Sequence, residues 1–163
     1  MIGLHSAAIQ YLTEKNVPFS LFTHSARVES LEQAALERNH VPGQVIRSLL
    51  FRIGDGIFAM VLIAGPAKVS WPKLRQHFGQ NRLTMATPAE VLENTGYRVG
   101  AVSPFGLLKP LPILADNNII AYDEVSLGSG IAGTAILMRS ADLVNTIDHL
   151  LISEFANRDN NAE

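Results

Sequence analysis

Apolar residues recur at helical spacing in several short segments of the chain. Leu4, Ala8, Tyr11 and Leu12 predict an opening amphipathic helix. Three further helices are predicted from capping signals, at Ser30-Leu31-Glu32-Gln33, Ser70-Trp71-Pro72 and Thr87-Pro88-Ala89-Glu90. A last helix is predicted to begin with Ser140 as its cap, and its apolar face is formed by Leu143, Ile147, Leu150, Leu151 and Phe155.

Other apolar segments are short and are bounded by turn residues, which is typical of strands. The predicted strands are Phe19–Thr23, Val45–Ile53, Ile57–Ala64, Leu83–Met85, Ile113–Ala115, Ile119–Tyr122 and Thr134–Met138. Gly54-Asp55-Gly56 separates two of them and predicts a hairpin turn. Short strands interleaved with short helices predict an α/β or α+β domain around a mixed sheet. We expect one domain over residues 1–156, followed by a polar tail over residues 157–163.

Composition narrows the classes of protein that fit this pattern. The 163 residues contain no cysteine, which excludes disulfides, thiolate metal sites and cysteine nucleophiles. The net charge is −2 with no run of basic residues, so we expect contact with a short piece of nucleic acid at most, and no DNA binding. No signal peptide or membrane-spanning stretch is recognisable, which predicts a cytoplasmic protein.

Sequence motifs for cofactor binding or for a catalytic nucleophile are either poorly matched or absent. Residues 128–133 read Gly-Ser-Gly-Ile-Ala-Gly, which matches the dinucleotide-binding fingerprint by letter. A strand-like run follows it instead of a helix, so a glycine-rich turn between two strands is the better interpretation. The five histidines show no metal-ligand spacing, and no phosphate-binding loop or nucleophile elbow is present. We therefore predict neither a metal nor an organic cofactor.

Three segments in order resemble one family. They are SLEQAALERNHVPGQVIRSLLF from Ser30, the stretch from Ala64 to Gly106 that ends in GYRVGAVSPFG, and PLPILADNNII with the glycine-rich turn after it. Together they resemble the YbaK proteins and the editing domain inserted in bacterial prolyl-tRNA synthetases. The resemblance implies a partly barrel-like mixed sheet with helices outside. It also implies hydrolysis of wrong amino acids from tRNA without a cofactor, so that the partner is the acceptor end of aminoacyl-tRNA.

The chemistry that this resemblance implies suits the residues present. An aminoacyl ester is already activated, so positioning, a water or ribose hydroxyl, and charge stabilisation suffice. The segment Gly100-Ala101-Val102-Ser103-Pro104 is similar to the family's Gly-x-x-x-Pro loop. We predict that Gly100 and Ser103 are catalytic, and that Ala101, Val102 and Pro104 bind substrate. The alternative interpretation is an ordinary tight turn.

Arg47 stands where the family usually has lysine, in Val45-Ile46-Arg47-Ser48-Leu49. We predict that Arg47 is catalytic and that it shares a hollow with the Ser-Pro turn. Arginine and lysine are not interchangeable, so changed amino-acid choice, weakened catalysis and a binding-only protein stay open. A strand-edge arginine that reaches solvent is the other alternative. The remaining predicted substrate-binding residues are His24, Ser48, Asp116, Ser129 and Gly130. A turn explains His24 and Asp116 equally well, and a plain turn is the preferred interpretation of Ser129 and Gly130.

The sequence thus predicts a trans-editing hydrolase for tRNA charged with a small wrong amino acid, tRNA for proline or a similar tRNA. One alternative is a non-catalytic member that binds tRNA 3′ ends or an amino-acid-like ligand. A second is an interaction domain that uses the same fold for a protein partner. The sequence does not determine the amino acid, the tRNA or the oligomeric state.

Overall fold

A computed structural model describes residues 4–158 of the chain. The helices are α1 Ala7–Glu14, α2 Leu31–Glu37, α3 Trp71–Phe78, α4 Pro88–Thr95 and α5 Ser140–Thr146. The strands are β1 Ser20–Thr23, β2 Ile46–Gly54, β3 Ile57–Ala64, β4 Thr84–Met85, β5 Ile113–Asp116, β6 Glu124–Gly128, β7 Thr134–Arg139 and β8 Leu151–Ser153. Two 3₁₀ turns cover Pro42–Gln44 and Asn117–Ile120. Within residues 4–158, each helix is too short to cross a membrane.

The strands form two sheets. The larger has the order β4-β2-β3-β5-β8, in which β2 and β3 are the predicted antiparallel hairpin, while β5 is parallel to both β3 and β8. The smaller is an antiparallel sheet of order β1-β7-β6. A parallel bridge between Val45 and Ser126 joins the two sheets where β2 begins. The predicted mixed α/β fold is confirmed.

Alternation along β2 separates two hydrophobic clusters, because successive side chains of a strand point to opposite faces. Ile46 and Leu50 belong to a first cluster that α1, α4 and the smaller sheet complete. Leu49, Phe51 and Ile53 lie in a second cluster with residues of α3. Each face of β2 therefore has a different environment, and this difference decides where its polar residues point.

Local signals placed most helix ends correctly. The side chains of Ser30, Ser70 and Thr87 each accept a hydrogen bond from the backbone amide three residues on, as N-caps do. Gly79 and Gly96 end α3 and α4 in the left-handed conformation that glycine adopts cheaply.

Tertiary pairing overrides the sequence pattern near the C-terminus. The predicted last helix is wrong beyond Thr146, because the chain leaves the helix and Leu151 pairs with Leu114 in the parallel sheet. Phe155 packs in the second cluster instead of on a helix face. Ser140 is the first residue inside α5 and not its cap, and its backbone amide donates to the carbonyl of Asp123.

A second correction concerns residues 117–128. The predicted strand Ile119–Tyr122 is a 3₁₀ turn, and the strand in this region is β6, which the sequence analysis missed. Polar Glu124 and Ser126 alternate with buried Val125 and Leu127 in β6, so its apolar run is short.

The first two residues of the predicted polar tail form hydrogen bonds with the rest of the domain. The amide of Asn157 donates to the carbonyl of Lys68 at 2.6 Å, and Arg158 donates to Asp116 at 2.7 Å. Residues 159–163 lie outside the described part, and the division at residue 156 stays a prediction.

Candidate active site

The Gly100–Pro104 segment forms a loop between α4 and β5 that is open on one side. Gly100 has φ of 96°, a conformation that a residue with a Cβ adopts only under strain. Apart from its chain neighbours, no atom of residues 4–158 lies within 4 Å of the position that a Cβ of Gly100 would take, so the described part of the chain leaves this side of the loop open. A backbone hydrogen bond of 3.0 Å from Ala101 to Arg98 closes the turn.

The other side of the loop is fixed to the core. Ser103 and Pro104 are buried, and the Ser103 hydroxyl accepts a hydrogen bond from the amide of Phe105 at 3.3 Å. The hydroxyl of Tyr97 donates to the Phe105 carbonyl, and burial raises the pKa of Tyr97 to about 12. Ser103 therefore stiffens the loop from inside, and its predicted catalytic role stays a prediction.

The glycine-rich turn between β6 and β7 packs directly against this loop. The amide of Gly130 donates to the carbonyl of Ala101 at 2.8 Å. A Cβ on Gly128 would lie 2.0 Å from the carbonyl oxygen of Val102, so only glycine permits this approach. The Ser129 hydroxyl donates to the carbonyl of Thr134 at 2.7 Å and is committed to the turn itself. The structure thus brings together two segments that the sequence analysis singled out separately.

Ser48 lies on the same face of β2 as the first cluster, against which Val102 also packs. Its hydroxyl oxygen is buried and has no hydrogen-bond partner among residues 4–158. A buried polar atom without a partner costs about 1–3 kcal/mol, so its persistence calls for an explanation. A ligand that forms a hydrogen bond with this hydroxyl would provide one.

Arg47 does not lie on that face. It shares the opposite face of β2 with Leu49 and Phe51, and its Nε donates to the carbonyl of Gly65 at 2.9 Å. A terminal nitrogen also donates to the carbonyl of Ala67. Burial lowers the pKa of Arg47, and the two carbonyls partly replace its lost hydration. The expected shared hollow of Arg47 with the Ser-Pro turn is therefore not formed, although its predicted catalytic role stays a prediction.

Asp116 forms most of its hydrogen bonds with the C-terminal segment. One carboxylate oxygen accepts from the amides of Phe155 and Ala156 at 2.8 Å, and the other accepts from Asn118 and Arg158. Burial alone would raise the pKa of Asp116, but these hydrogen bonds outweigh it and the pKa is lowered. These contacts give no support to the predicted substrate role.

His24 belongs to a polar network that we call the α2–β6 cluster. Its members are His24, Glu37, Arg38, His40, Glu124 and Ser126. The side chains of His24 and His40 are only 1% and 3% exposed, and Ser126 is buried. Buried polar groups that satisfy one another in this way hold a fixed geometry.

Sequence reasoning found only His24 of this cluster. Arg38 and His40 follow α2, whereas Ser126 is 86 to 88 residues further along and lies on the strand that the sequence analysis missed. The polar residues that alternate with Val125 and Leu127 were the available signal for β6. Nothing in the linear pattern indicates that this strand passes beside the end of α2.

Two surface cavities lie elsewhere on the molecule. One of about 310 Å³ is lined by residues that include Arg52, Glu90 and Lys109. The other, of about 440 Å³, lies between α3 and β8 beside His77 and Glu154. Among residues 4–158, no group of His, Asp or Glu side chains is arranged to hold a metal ion.

The fold and the loop define a class of small α/β domain in which a glycine-rich turn supports a Gly-x-x-x-Pro loop. The family model of the aminoacyl-tRNA editing domain matches residues 25–146. The chain therefore belongs to the aminoacyl-tRNA editing domain family. The predictions of an editing-domain fold and of an aminoacyl-tRNA deacylase are confirmed at this level.

Similar proteins agree with this assignment. The chain is 27% identical over 153 residues to the multifunctional Ser/Thr-tRNA deacylase ProXp-y of Escherichia coli K12, with 91% of each chain covered. It is 38% identical over 89 residues to the proline–tRNA ligase of Kosmotoga olearia, which covers 55% of this chain and 15% of the ligase. The solved structure of a proposed trans-editing enzyme for prolyl tRNA synthetase has the same fold, with a TM-score of 0.83, 24% identity and coverage of 95% and 99%.

Proposed function

We propose that this chain is a cytoplasmic trans-editing enzyme that removes a small, wrongly attached amino acid from the acceptor end of tRNA. The observation that carries the proposal is the buried hydroxyl of Ser48, which has no hydrogen-bond partner among residues 4–158 and lies on the face of β2 that belongs to the first cluster, against which Val102 of the loop also packs. A site of this kind binds the aminoacyl group between a polar side chain and an exposed loop backbone. The Ser/Thr-tRNA deacylase among the relatives supports a substrate side chain that bears a hydroxyl.

The proposed reaction needs no covalent intermediate. Water attacks the carbonyl carbon of the ester, directly or with help from the neighbouring ribose hydroxyl. The bond from that carbon to the ribose oxygen breaks, and the proton from water ends on the ribose oxygen. The products are the free amino acid and uncharged tRNA. Backbone amides near Gly100 are oriented in advance, so they stabilise the charge that develops on the carbonyl oxygen.

Two glycines offer a matched test of the loop. Gly100 and Gly133 both have positive φ, and in both cases no atom of the described residues, other than the chain neighbours, lies within 4 Å of a new Cβ. Alanine at either position should therefore cost a similar free energy of unfolding, about 1–2 kcal/mol. Only Gly100→Ala should shift the backbone that positions the ester, so its deacylation rate should fall at least about tenfold.

The experiment measures deacylation of tRNA charged with alanine, serine, threonine or cysteine. We expect the wild type and Gly133→Ala to hydrolyse at least one of these substrates at similar rates, and Gly100→Ala to be impaired. Equal activity of the two variants would show that the loop is not part of the site. No turnover of any substrate by the wild type would refute the proposed reaction.

Arg47 favours one alternative function. Its guanidinium donates to two backbone carbonyls, so the cation that replaces the family's lysine is already occupied. A member that binds tRNA 3′ ends without hydrolysing them would have this property. Tight binding of a non-hydrolysable aminoacyl-adenosine analogue, together with no turnover, would support this alternative.

A further inference from the structure

The α2–β6 cluster contains a second half-buried arginine, Arg38, which is held in a different way from Arg47. Its Nε donates to Nε2 of His24 at 3.1 Å, and its Nη1 donates to the hydroxyl oxygen of Ser126 at 3.0 Å. Both partners are neutral acceptors. Its Nη2 has no partner among the described residues, so this guanidinium keeps donors to spare.

The hydrogen bond from Arg38 fixes the state of His24. Because Nε2 of His24 accepts from Arg38, the proton of the neutral ring is on Nδ1, which donates to Glu37 at 2.7 Å. That hydrogen bond lowers the pKa of Glu37, which is therefore a carboxylate. Nε2 of His40 lies 2.7 Å from a carboxylate oxygen of Glu124, and its Nδ1 lies 3.3 Å from the hydroxyl oxygen of Ser126.

The two histidines thus act as spacers between Arg38 and the carboxylates. Glu37 and Glu124 each bind a histidine, and neither makes a hydrogen bond to the guanidinium. Burial lowers the pKa of Arg38, and the nearby charge of Glu37 only partly offsets this effect. Arg38 is a partly desolvated cation without a direct anionic partner, which is the state of a residue that binds an anion from outside.

The cluster is connected to the Gly100–Pro104 loop through β6. Ser126 and Gly128 are two residues apart, so they point to the same face of the strand, about 7 Å from each other. Gly128 is the residue that meets the carbonyl of Val102 in the loop. The guanidinium of Arg38, bonded to Ser126, therefore lies on the face of β6 that the Val102 carbonyl approaches, opposite the face on which Val125 and Leu127 join the first cluster.

We infer that Arg38 binds the phosphodiester that joins the terminal adenosine of tRNA to the preceding nucleotide, an inference that rests on the proposed function. A planar guanidinium with free N–H groups matches the oxygens of a phosphate. The cluster holds it in place before binding, so little side-chain entropy is lost when the phosphate arrives.

The test compares adenosine with the dinucleotide cytidylyl-adenosine, which adds one phosphodiester. Binding of each to the full chain is measured by calorimetry or NMR titration at fixed salt. The wild type should prefer the dinucleotide by about tenfold, as expected for a charged hydrogen bond. Arg38→Gln should lose this preference and keep its affinity for adenosine. Arg52→Gln is the matched control, since Arg52 is exposed and lies further along β2, and should retain the preference.

If Arg38→Gln does not fold, a direct signal from the wild type still tests the role of Arg38. The Nε–H resonance of Arg38 should shift on addition of the dinucleotide and stay in place with adenosine. An unmoved resonance, or a full preference in folded Arg38→Gln, would overturn the role of Arg38 and leave the proposed function intact. If the wild type binds neither probe, the proposed function fails together with the inference.

Discussion

Polar groups on the two sides of the larger sheet are satisfied to very different degrees. On the side of the second cluster and the C-terminal segment, Asp116 accepts four hydrogen bonds and Arg47 donates to two carbonyls. On the side of the first cluster, the Ser48 hydroxyl has no hydrogen-bond partner within residues 4–158. In the α2–β6 cluster, Nη2 of Arg38 likewise has none in this part of the chain.

This difference separates groups that stabilise the fold from groups that are available to a ligand. A polar side chain whose partners are all in the protein contributes to the free energy of folding. One that lacks a partner costs free energy, which a bound substrate would recover. By this criterion we assign Asp116 and Arg47 to the framework, and we propose that Ser48 and Arg38 belong to the site.

Replacement of Asp116 by asparagine should have the largest effect on stability. The amide keeps the shape but loses the charge and one acceptor, so the free energy of unfolding should fall by about 1–3 kcal/mol at neutral pH. The pKa of Asp116 is lowered in the folded state, so its contribution is present above the pKa of the unfolded chain. The contribution is lost as the pH falls through the folded pKa.

Urea denaturation of Asp116→Asn and the wild type at pH 7 and at about pH 3 measures this effect. The difference in stability should be large at pH 7 and should shrink below the unfolded pKa of about 3.9. Asp142→Asn, which removes a carboxylate paired with exposed Arg139, should change stability less. A difference that does not depend on pH would contradict the assignment of Asp116 to the framework.

Arg47→Met should have an intermediate effect. Methionine keeps most of the apolar stem but leaves the carbonyls of Gly65 and Ala67 without a donor, which should cost about 1–2 kcal/mol. Once the variant is folded, its deacylation rate should stay within about threefold of the wild type, because the guanidinium is not on the loop's face of β2. Unchanged stability combined with lost activity would instead support the catalytic role that the sequence suggested.

Much of the fold could be predicted because the decisive signals are local. The Asp55-Gly56 turn, the cap at Thr87 and the glycines after α3 and α4 each depend on a few adjacent residues. The end of α5 could not be predicted in this way. The apolar residues after Thr146 fit a helix face, and only pairing of Leu151 with Leu114 draws them into a strand.

The site was predictable in part. The Gly100–Pro104 loop and the turn at Gly130 were found by motif, and the structure brings them into contact. The orientation of Arg47 was missed because a shift of one residue along a strand reverses the face, and the sequence alone does not say which face the loop covers. Arg38 was missed because its partner Ser126 comes from a strand 88 residues away.

Ser48→Ala should have the smallest effect on stability and tests the central distinction most directly. Loss of an unpaired buried hydroxyl should leave the free energy of unfolding unchanged or raise it by up to about 1 kcal/mol. The kcat/KM for deacylation should fall about threefold to tenfold, because the substrate loses a hydrogen bond. Lower stability with unchanged kcat/KM would mean that Ser48 is part of the framework, and would contradict the placement of the site on this face.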